Sequence, residues 1–348
     1  METMSAHDVL LSICIPTFER SALLEQSLRS ILGQFPEDAV EIVVLDNAST
    51  DQTREVVEAA QGQHRCVRYI RNDVNIGLDR NAIRAIDEAR GEYVFLFSDD
   101  DVLLPGSGAA ILAAIASVRP SFLYLGHAGF WVDEPLETVV ARQAELHTPD
   151  RVYRQGFELL YDALLEHNSA MIFRTSAVRH ALRRLAAYDG ARFERGYAVS
   201  ALGYLVVLEA DGPFVRLGHC SIAVRNLPEQ SYNPIYSSHI DVVRQYQMLR
   251  AWGLLTRAQL AKLMKKRIWG VRDNLILALR CARDPRYGVA ERNLIWRQNW
   301  RYWRFYLYLA PIVTLPRWIV CPAYRLGQMV LRRYERSRGI ERRVLGAP

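Results

Sequence analysis

Residues 91–105 read GEYVFLFSDDDVLLP. An apolar run from Tyr93 to Phe97 ends in Ser98 and then in three adjacent carboxylates, Asp99, Asp100 and Asp101. A run so short and so apolar predicts a buried strand. Like charges side by side raise one another's pKa, so something must neutralise them. Water does this on a surface. In a cleft a divalent cation does it, because hard cations take carboxylate oxygens. The place of the triplet, after a buried strand and before Pro105, favours the cleft over a solvated acidic turn.

Upstream, short apolar runs alternate with segments of helical spacing. LLSICI (10–15) predicts a first strand, and Ser21–Gln34 a helix with Leu24, Leu28, Ile31 and Leu32 on one face. VEIVVL (40–45) predicts a second strand, followed by a helix over 51–60 capped by Ser49 or Thr50. CVRYIR (66–71) predicts a third, followed by a helix from about Asp79 to Arg90 that stops at Gly91. Such alternation predicts an α/β domain with a doubly wound, mostly parallel sheet. Ligands of these sheets sit at the carboxyl ends of the strands. Three polar clusters fall there: Pro16-Thr17-Phe18-Glu19-Arg20, Asp46-Asn47-Ala48-Ser49-Thr50-Asp51, and Ser98-Asp99-Asp100-Asp101.

Beyond residue 120 the pattern is mixed. FLYLGHAGFW and FVRLGHCSIAV (214–224) predict strands, and 156–166, 176–187 and 197–210 predict helices. From about 237 the chain is helical, basic and aromatic. Between Arg257 and Arg343 there are 21 basic and 5 acidic residues, against 23 and 33 elsewhere, so the net +6 hides two oppositely charged parts. We expect a catalytic domain over 1–230, with a donor half (1–106) and an acceptor half (107–230), and a helical C-terminal region over 231–348.

The composition excludes a disordered chain. Five scattered cysteines without a CxxC pair predict neither a zinc framework nor a disulfide scaffold, and suit a reducing cytosol. METMSAHDVL lacks a basic region before an apolar core, so no signal peptide is expected. The longest uncharged stretch, Val102–Val118, contains Pro105, Gly106, Ser107 and Gly108 and predicts a loop and buried helix, not a membrane span. No GxGxxG follows the first strand, which argues against a dinucleotide enzyme. His127, His167 and His219 stand alone in sequence and predict structural roles. A second reading puts His167-Asn168-Ser169 in an acceptor pocket.

The polar clusters, in their order, resemble the family 2 glycosyltransferases, which have the GT-A fold. Ser12-Ile13-Cys14-Ile15-Pro16-Thr17-Phe18-Glu19-Arg20 is similar to the family's opening strand, and Asp46-Asn47-Ala48-Ser49-Thr50-Asp51 to the end of its second. Asn75-Ile76-Gly77-Leu78-Asp79-Arg80-Asn81 and the 91–105 stretch match its next two motifs. The Asp-Asn and Gly-Leu-x-Arg-Asn variants resemble the branch with abequosyltransferase-like and other O-antigen or capsule sugar transferases. The resemblance implies an inverting enzyme that moves one sugar from a nucleotide-diphosphate sugar to a glycan or lipid-linked acceptor. It implies donor contacts from Pro16, Thr17, Arg20, Asp46 and Arg80. It also implies Mg²⁺ or Mn²⁺ on Asp100. Two departures stand out. Ser98 occupies the first position of the family's D-x-D, so either Ser98 binds ribose or Asp99 takes the missing role. The family's acidic pair that supplies a general base is absent from 187–212, which leaves Glu194 and Asp189 as candidates.

Two other readings share these features. A nucleotidyltransferase would use the same acidic chemistry but wants a Gly-rich phosphate loop after the first strand, which Pro16-Thr17-Phe18-Glu19 is not. A non-catalytic nucleotide-sugar-binding protein would explain Ser98. For the basic tail, Trp296, Trp300, Trp303 and Trp318 among Arg297, Arg301, Arg304 and Arg317 predict a membrane-surface segment and not a nucleic-acid patch. The expected place is the cytoplasmic face of the cell membrane, held peripherally.

Overall fold

The computed structural model describes residues 9–131, 134–163, 165, 167–188, 198–226, 240–270, 276, 279–281, 283, 287–322, 324–326 and 329. The chain divides into two units, Met1–Pro228 and Glu229–Pro348.

In the first unit β1 (Leu11–Thr17), β2 (Val40–Asp46), β3 (Val67–Arg71) and β4 (Tyr93–Leu96) alternate with α1 (Ser21–Ile31), α2 (Thr53–Gln61) and α3 (Leu78–Glu88). The four strands run parallel in the order β3-β2-β1-β4. β2 and β4 are buried at every residue, which is why they read as unbroken apolar runs and not as alternation. The polar exceptions at the far end are satisfied: Ser12 Oγ donates to Glu41 Oε1 at 2.6 Å, and Arg68 pairs with Glu41 at 2.5 Å. Helix α3 stops at Glu88, with Ala89 already extended. Gly91 is therefore not the helix terminator expected. It lets the chain pass against β1, where a Cβ would lie 2.7 Å from Ser12 N.

The rest of the unit comprises β5 (Val102–Leu103), α4 (Ser107–Val118), β6 (Phe122–Trp131), α5 (Leu136–Ala141), β7 (Arg151–Tyr153), α6 (Gly156–Ala163), β8 (Met171–Arg174), α7 (Thr175–Tyr188), α8 (Ala198–Glu209) and β9 (Phe214–Asn226). The sheet continues from β4 as β8-β6-β9-β5, with β7 on β9. Strand β8 is antiparallel to both β4 and β6, whereas β6 and β9 are parallel. Phe95, Ile172 and Leu123 share one row across β4, β8 and β6. Phe122 and Phe173 meet edge to face at 5.3 Å in this seam and are fully buried, each contributing about 1.5–3 kcal/mol.

The second unit is helical, with helices Asp241–Ala251, Arg257–Gly270, Val289–Asn299 and Trp303–Thr314. Ile240, Ile276, Leu279, Ile295, Phe305, Leu309 and Val313 form its core. Here the expectation of unpaired cysteines is corrected. Cys281 and Cys321, 40 residues apart, are disulfide-bonded. Closing a loop of that length contributes about 4 kcal/mol in the chain-entropy account. Cys14, Cys66 and Cys220 are free and buried.

Candidate functional site

The turn after β4 is fixed before its carboxylates come into play. Ser98 N donates to Ser169 Oγ at 3.0 Å, and Ser27 Oγ donates to Ser98 O at 3.3 Å. Asp99 and Asp101 are buried, and the Asp100 side chain is 20% exposed. Thr17 Oγ1 donates to Asp99 Oδ2 at 2.8 Å. Arg20 Nη1 lies 3.1 Å from Asp99 Oδ1 and 3.2 Å from Asp100 Oδ2, so one guanidinium serves both. Asp101 turns the other way. It accepts from Ser169 Oγ at 2.5 Å and from Arg225 N at 3.0 Å. Arg225 Nε closes the turn by donating to Asp100 O at 2.8 Å.

The three carboxylates therefore do not converge on one point. Among the described residues no group of three or more His, Cys, Asp and Glu side chains is placed to hold a metal ion. Asp101 builds the turn, while Asp99 and Asp100 face Arg20 and the end of β1. Burial pushes Asp99 up to about 6, reinforced by the Asp100 charge and opposed by Arg20. Burial and the Asp100 charge push Asp101 up to about 7. Asp100 is raised by burial too, against Arg20 and Arg225. Two guanidiniums, Arg20 and Arg225, face three carboxylates, which leaves this turn short of positive charge at neutral pH. Two carboxylates whose negative charge is only partly countered, Asp99 and Asp100, fit a hard divalent cation.

The end of β2 is a second fixed point. Asp46 is buried and accepts from Ser49 N at 2.9 Å and from Tyr69 OH at 2.6 Å, with Arg71 Nε at 3.3 Å. Burial, then the Asp46 hydrogen bond and charge, push the Tyr69 phenol up to about 12, so it stays a donor. Asn47 stands at the edge of an asparagine lattice. Its Oδ1 accepts from Asn72 Nδ2 and Ile76 N, both at 2.9 Å. Its Nδ2 donates to Asn75 Oδ1 at 2.7 Å. Asn72 Nδ2 also donates to Asn81 Oδ1 at 2.7 Å, and Asn81 Nδ2 to Leu45 O at 2.9 Å. Gly77, at φ +87°, turns the loop into α3 where an L side chain would be strained. The lattice thereby fastens residues 75–77 across the rim of β2.

The expected caps of α2 are corrected as well. Asp51, not Ser49 or Thr50, accepts from Thr53 N at 3.1 Å and from Ser21 N at 2.8 Å, so one carboxylate caps the starts of α1 and α2 together. Ser49 Oγ instead accepts from Glu19 N at 2.9 Å, at a residue held at φ +54°.

Pro16, Thr17, Arg20, Ser98, Asp99 and Asp100 thus gather at the β1 and β4 ends. Asp46 lies one strand away with its oxygens engaged inside the protein. Arg80 sits exposed on α3. Glu194 and Asp189 lie outside the described residues. Sequence reasoning placed Ser169 in an acceptor pocket and not at the acidic turn that it holds, and missed Arg225 and Asn72. Only Asn72 carried a signal, through its place in the Asn72-Asp73-Val74-Asn75 run of turn formers.

A family model described as glycosyl transferase family 2 matches residues 12–181. Abequosyltransferase RfbV of Salmonella typhimurium is 38% identical over 118 residues, 33% of this chain and 35% of that protein. The GalNAc(5)-diNAcBac-PP-undecaprenol beta-1,3-glucosyltransferase of Campylobacter jejuni is 37% identical over 103 residues, 29% of this chain and 33% of that protein. The chain thus matches only about a third of the length of these relatives. The crystal structure of S. aureus TarS 1-349 superposes with a TM-score of 0.59 at 18% identity, covering 88% of this chain and 85% of that one.

Proposed function

The chain carries a family 2 glycosyltransferase domain over residues 12–181, and from that premise we propose that it transfers one sugar, with inversion, from a nucleotide-diphosphate sugar to an acceptor hydroxyl. Its sheet, parallel through β4 and mixed beyond it, is that of a GT-A glycosyltransferase. The observation that carries the reading is the charge-deficient acidic turn at the rim of β1 and β4, where Arg20 bridges Asp99 and Asp100.

Departure of a nucleoside diphosphate builds negative charge on the phosphate oxygens, and positive charge fixed nearby stabilises it. Arg20 supplies part of that charge. A divalent cation held by Asp100, with Asp99 beside it, would supply the rest as a Lewis acid. Thr17 fixes the Asp99 carboxylate by its 2.8 Å hydrogen bond, with Pro16 and Ser98 adjoining these two residues in the chain. The asparagine lattice and Asp46 keep the β2 rim rigid beside the nucleoside. The acceptor oxygen attacks the anomeric carbon from the face opposite the diphosphate, which inverts that centre.

The test is a thermal-shift series with UDP, GDP, CDP and dTDP, with and without Mn²⁺, followed by release of nucleoside diphosphate from the matching sugar donors. The correct nucleotide at a hundred times its Kd should add about 2.7 kcal/mol to stability. A chain that no nucleotide stabilises and that turns over no donor does not have this activity.

We also propose a lipid-linked acceptor met at the cytoplasmic face of a membrane. One relative's name specifies a PP-undecaprenol substrate. The helix Trp303–Thr314 is apolar on both faces. Phe305, Leu309 and Val313 are buried, whereas Trp303, Tyr306, Leu307 and Tyr308 are exposed. Trp318 is 76% exposed. Arg301 and Arg304 lie over the Trp300 and Trp303 rings at 5.1 and 5.3 Å. Aromatic rings interleaved with arginine suit the headgroup level of an anionic bilayer. No single described helix is long and apolar enough to cross a membrane. Trp303→Glu combined with Trp318→Glu is expected to weaken sedimentation with phosphatidylglycerol-containing vesicles by about tenfold or more, without changing the melting temperature. Undiminished binding by the double variant would remove this surface from consideration.

A further inference from the structure

Arg20 is asked to meet the diphosphate, yet its side chain holds the acidic turn. Its Nη1 lies 3.1 Å from Asp99 Oδ1 and 3.2 Å from Asp100 Oδ2. One nitrogen thus takes an oxygen from each of the two carboxylates that fit a divalent cation. Asp99 Oδ2 accepts from Thr17 Oγ1 at 2.8 Å, so Oδ1 is the oxygen turned to Arg20. A guanidinium and a divalent cation compete for such a pair, because they repel each other and want the same lone pairs.

The backbone around Arg20 is pinned. Glu19 N donates to Ser49 Oγ at 2.9 Å, and Ser21 N to Asp51 Oδ2 at 2.8 Å. Arg20 O accepts from Leu23 N and Leu24 N, both at 3.0 Å, at the start of α1. The side chain itself is 40% exposed. Release of the carboxylates is therefore a swing of a long side chain about a fixed Cα, a motion that exposed side chains make within nanoseconds. The turn does not depend on Arg20 for its shape. Arg225 Nε donates to Asp100 O at 2.8 Å and Arg225 N to Asp101 Oδ1 at 3.0 Å.

We propose that Arg20 is a stand-in for the divalent cation, an inference that rests on the glycosyltransferase reading above. It latches Asp99 and Asp100 while no donor is bound, and passes to the diphosphate oxygens when the cation takes the pair. Its planar donors suit both partners, since they match carboxylate and phosphate alike. The latch keeps two buried carboxylates from standing uncompensated between turnovers. It also makes the cation bind weakly until a diphosphate draws Arg20 away. Cation and nucleoside diphosphate then bind with positive coupling, each raising the other's affinity by the same factor.

The experiment titrates the full chain with Mn²⁺ alone, reading free Mn²⁺ by its paramagnetic resonance. It is repeated with whichever of UDP, GDP, CDP and dTDP raises the melting temperature most. Arg20→Met is compared with the unaltered chain, and Asp100→Asn supplies the background of Mn²⁺ bound elsewhere. Without nucleotide, Arg20→Met should bind Mn²⁺ about tenfold more tightly, because the pair is no longer latched. The nucleotide should tighten Mn²⁺ binding less in this variant than in the unaltered chain. Donor turnover at saturating Mn²⁺ should nevertheless fall about a hundredfold, because positive charge is lost beside the leaving phosphate. It is followed as release of nucleoside diphosphate from whichever of UDP-glucose, UDP-GlcNAc, GDP-mannose and dTDP-rhamnose the unaltered chain uses fastest. A side chain that served the fold alone would weaken Mn²⁺ binding and turnover together. Should the methionine variant not fold, Arg20→Gln carries the same comparison. Mn²⁺ bound no more tightly by the variant, or turnover undiminished at saturating Mn²⁺, overturns the exchange and leaves the transferase reading standing. An unaltered chain that neither binds nucleotide nor turns over donor overturns the transferase reading itself, and the exchange with it.

Discussion

Asp100→Asn is expected to slow release of nucleoside diphosphate by about a hundredfold and, at the same time, to make the protein more stable at pH 8 than the unaltered chain. Both effects have one origin. Asp100 is the carboxylate whose charge raises both Asp99 and Asp101. A carboxyl whose folded pKa lies above its unfolded value of 3.8 keeps the folded chain more protonated than the unfolded one. Its contribution is therefore present below the unfolded value and lost as pH rises through the folded one. For Asp99 and Asp101 that window runs from near 3.8 up to about 6 and about 7. The unaltered chain, stripped of cations by EDTA, should lose stability across it. Asparagine at position 100 removes a like charge, lets both neighbours titrate lower, and flattens the decline. Mn²⁺ added to the unaltered chain should flatten it in the same way, whereas Mn²⁺ added to the variant should do much less. Melting curves from pH 5 to 8, with EDTA or Mn²⁺, read the stability effect, and donor turnover reads the catalytic one. A variant that keeps its turnover, or that falls in stability more steeply with pH, contradicts the role given to Asp100.

The parallel half of the sheet was legible because strands covered on both faces appear as continuous apolar runs with polar ends. VEIVVL and YVFLF announce themselves in that way, and the ends of those runs are where the site lies. The mixed half was not. Met171-Ile172-Phe173-Arg174 leads straight into α7 and has no period of its own. Its place is set by pairing with β4 and β6, a tertiary fact. The acidic turn shows the same divide. Its carboxylates were visible, but the groups that aim them were not, since Ser169 and Arg225 reach Asp101 from 68 and 124 residues away. Those two contacts draw Asp101 into the turn and away from Asp99 and Asp100. Asp46 was legible as a rim residue, yet its oxygens are engaged by Ser49, Tyr69 and Arg71. The Cys281–Cys321 bond likewise has no short spacing to mark it.

Asn72→Leu is the substitution expected to cost most in stability around the site, about 2–4 kcal/mol. Asn72 is 2% exposed, and its amide nitrogen is the donor to both Asn47 Oδ1 and Asn81 Oδ1. Its own oxygen accepts from Arg84 Nη1. Leucine has similar volume but no donor. Asn47 Oδ1 keeps Ile76 N, while Asn81 Oδ1 loses the amide that meets it. A buried acceptor left without a partner costs its full desolvation penalty, whereas an exposed site would cost almost nothing. The neighbouring Asp73→Ala, at an exposed position, supplies that comparison and should stay within about 0.5 kcal/mol of the unaltered chain. The urea midpoint measures both. The functional consequence is separable from the stability loss. With the lattice opened, residues 75–77 are no longer fastened over the end of β2, so the nucleotide-induced thermal shift should shrink even at temperatures where the variant is folded. If the shift instead stays whole while the midpoint falls, the lattice serves the fold alone, and the β2 rim takes no part in holding the nucleoside.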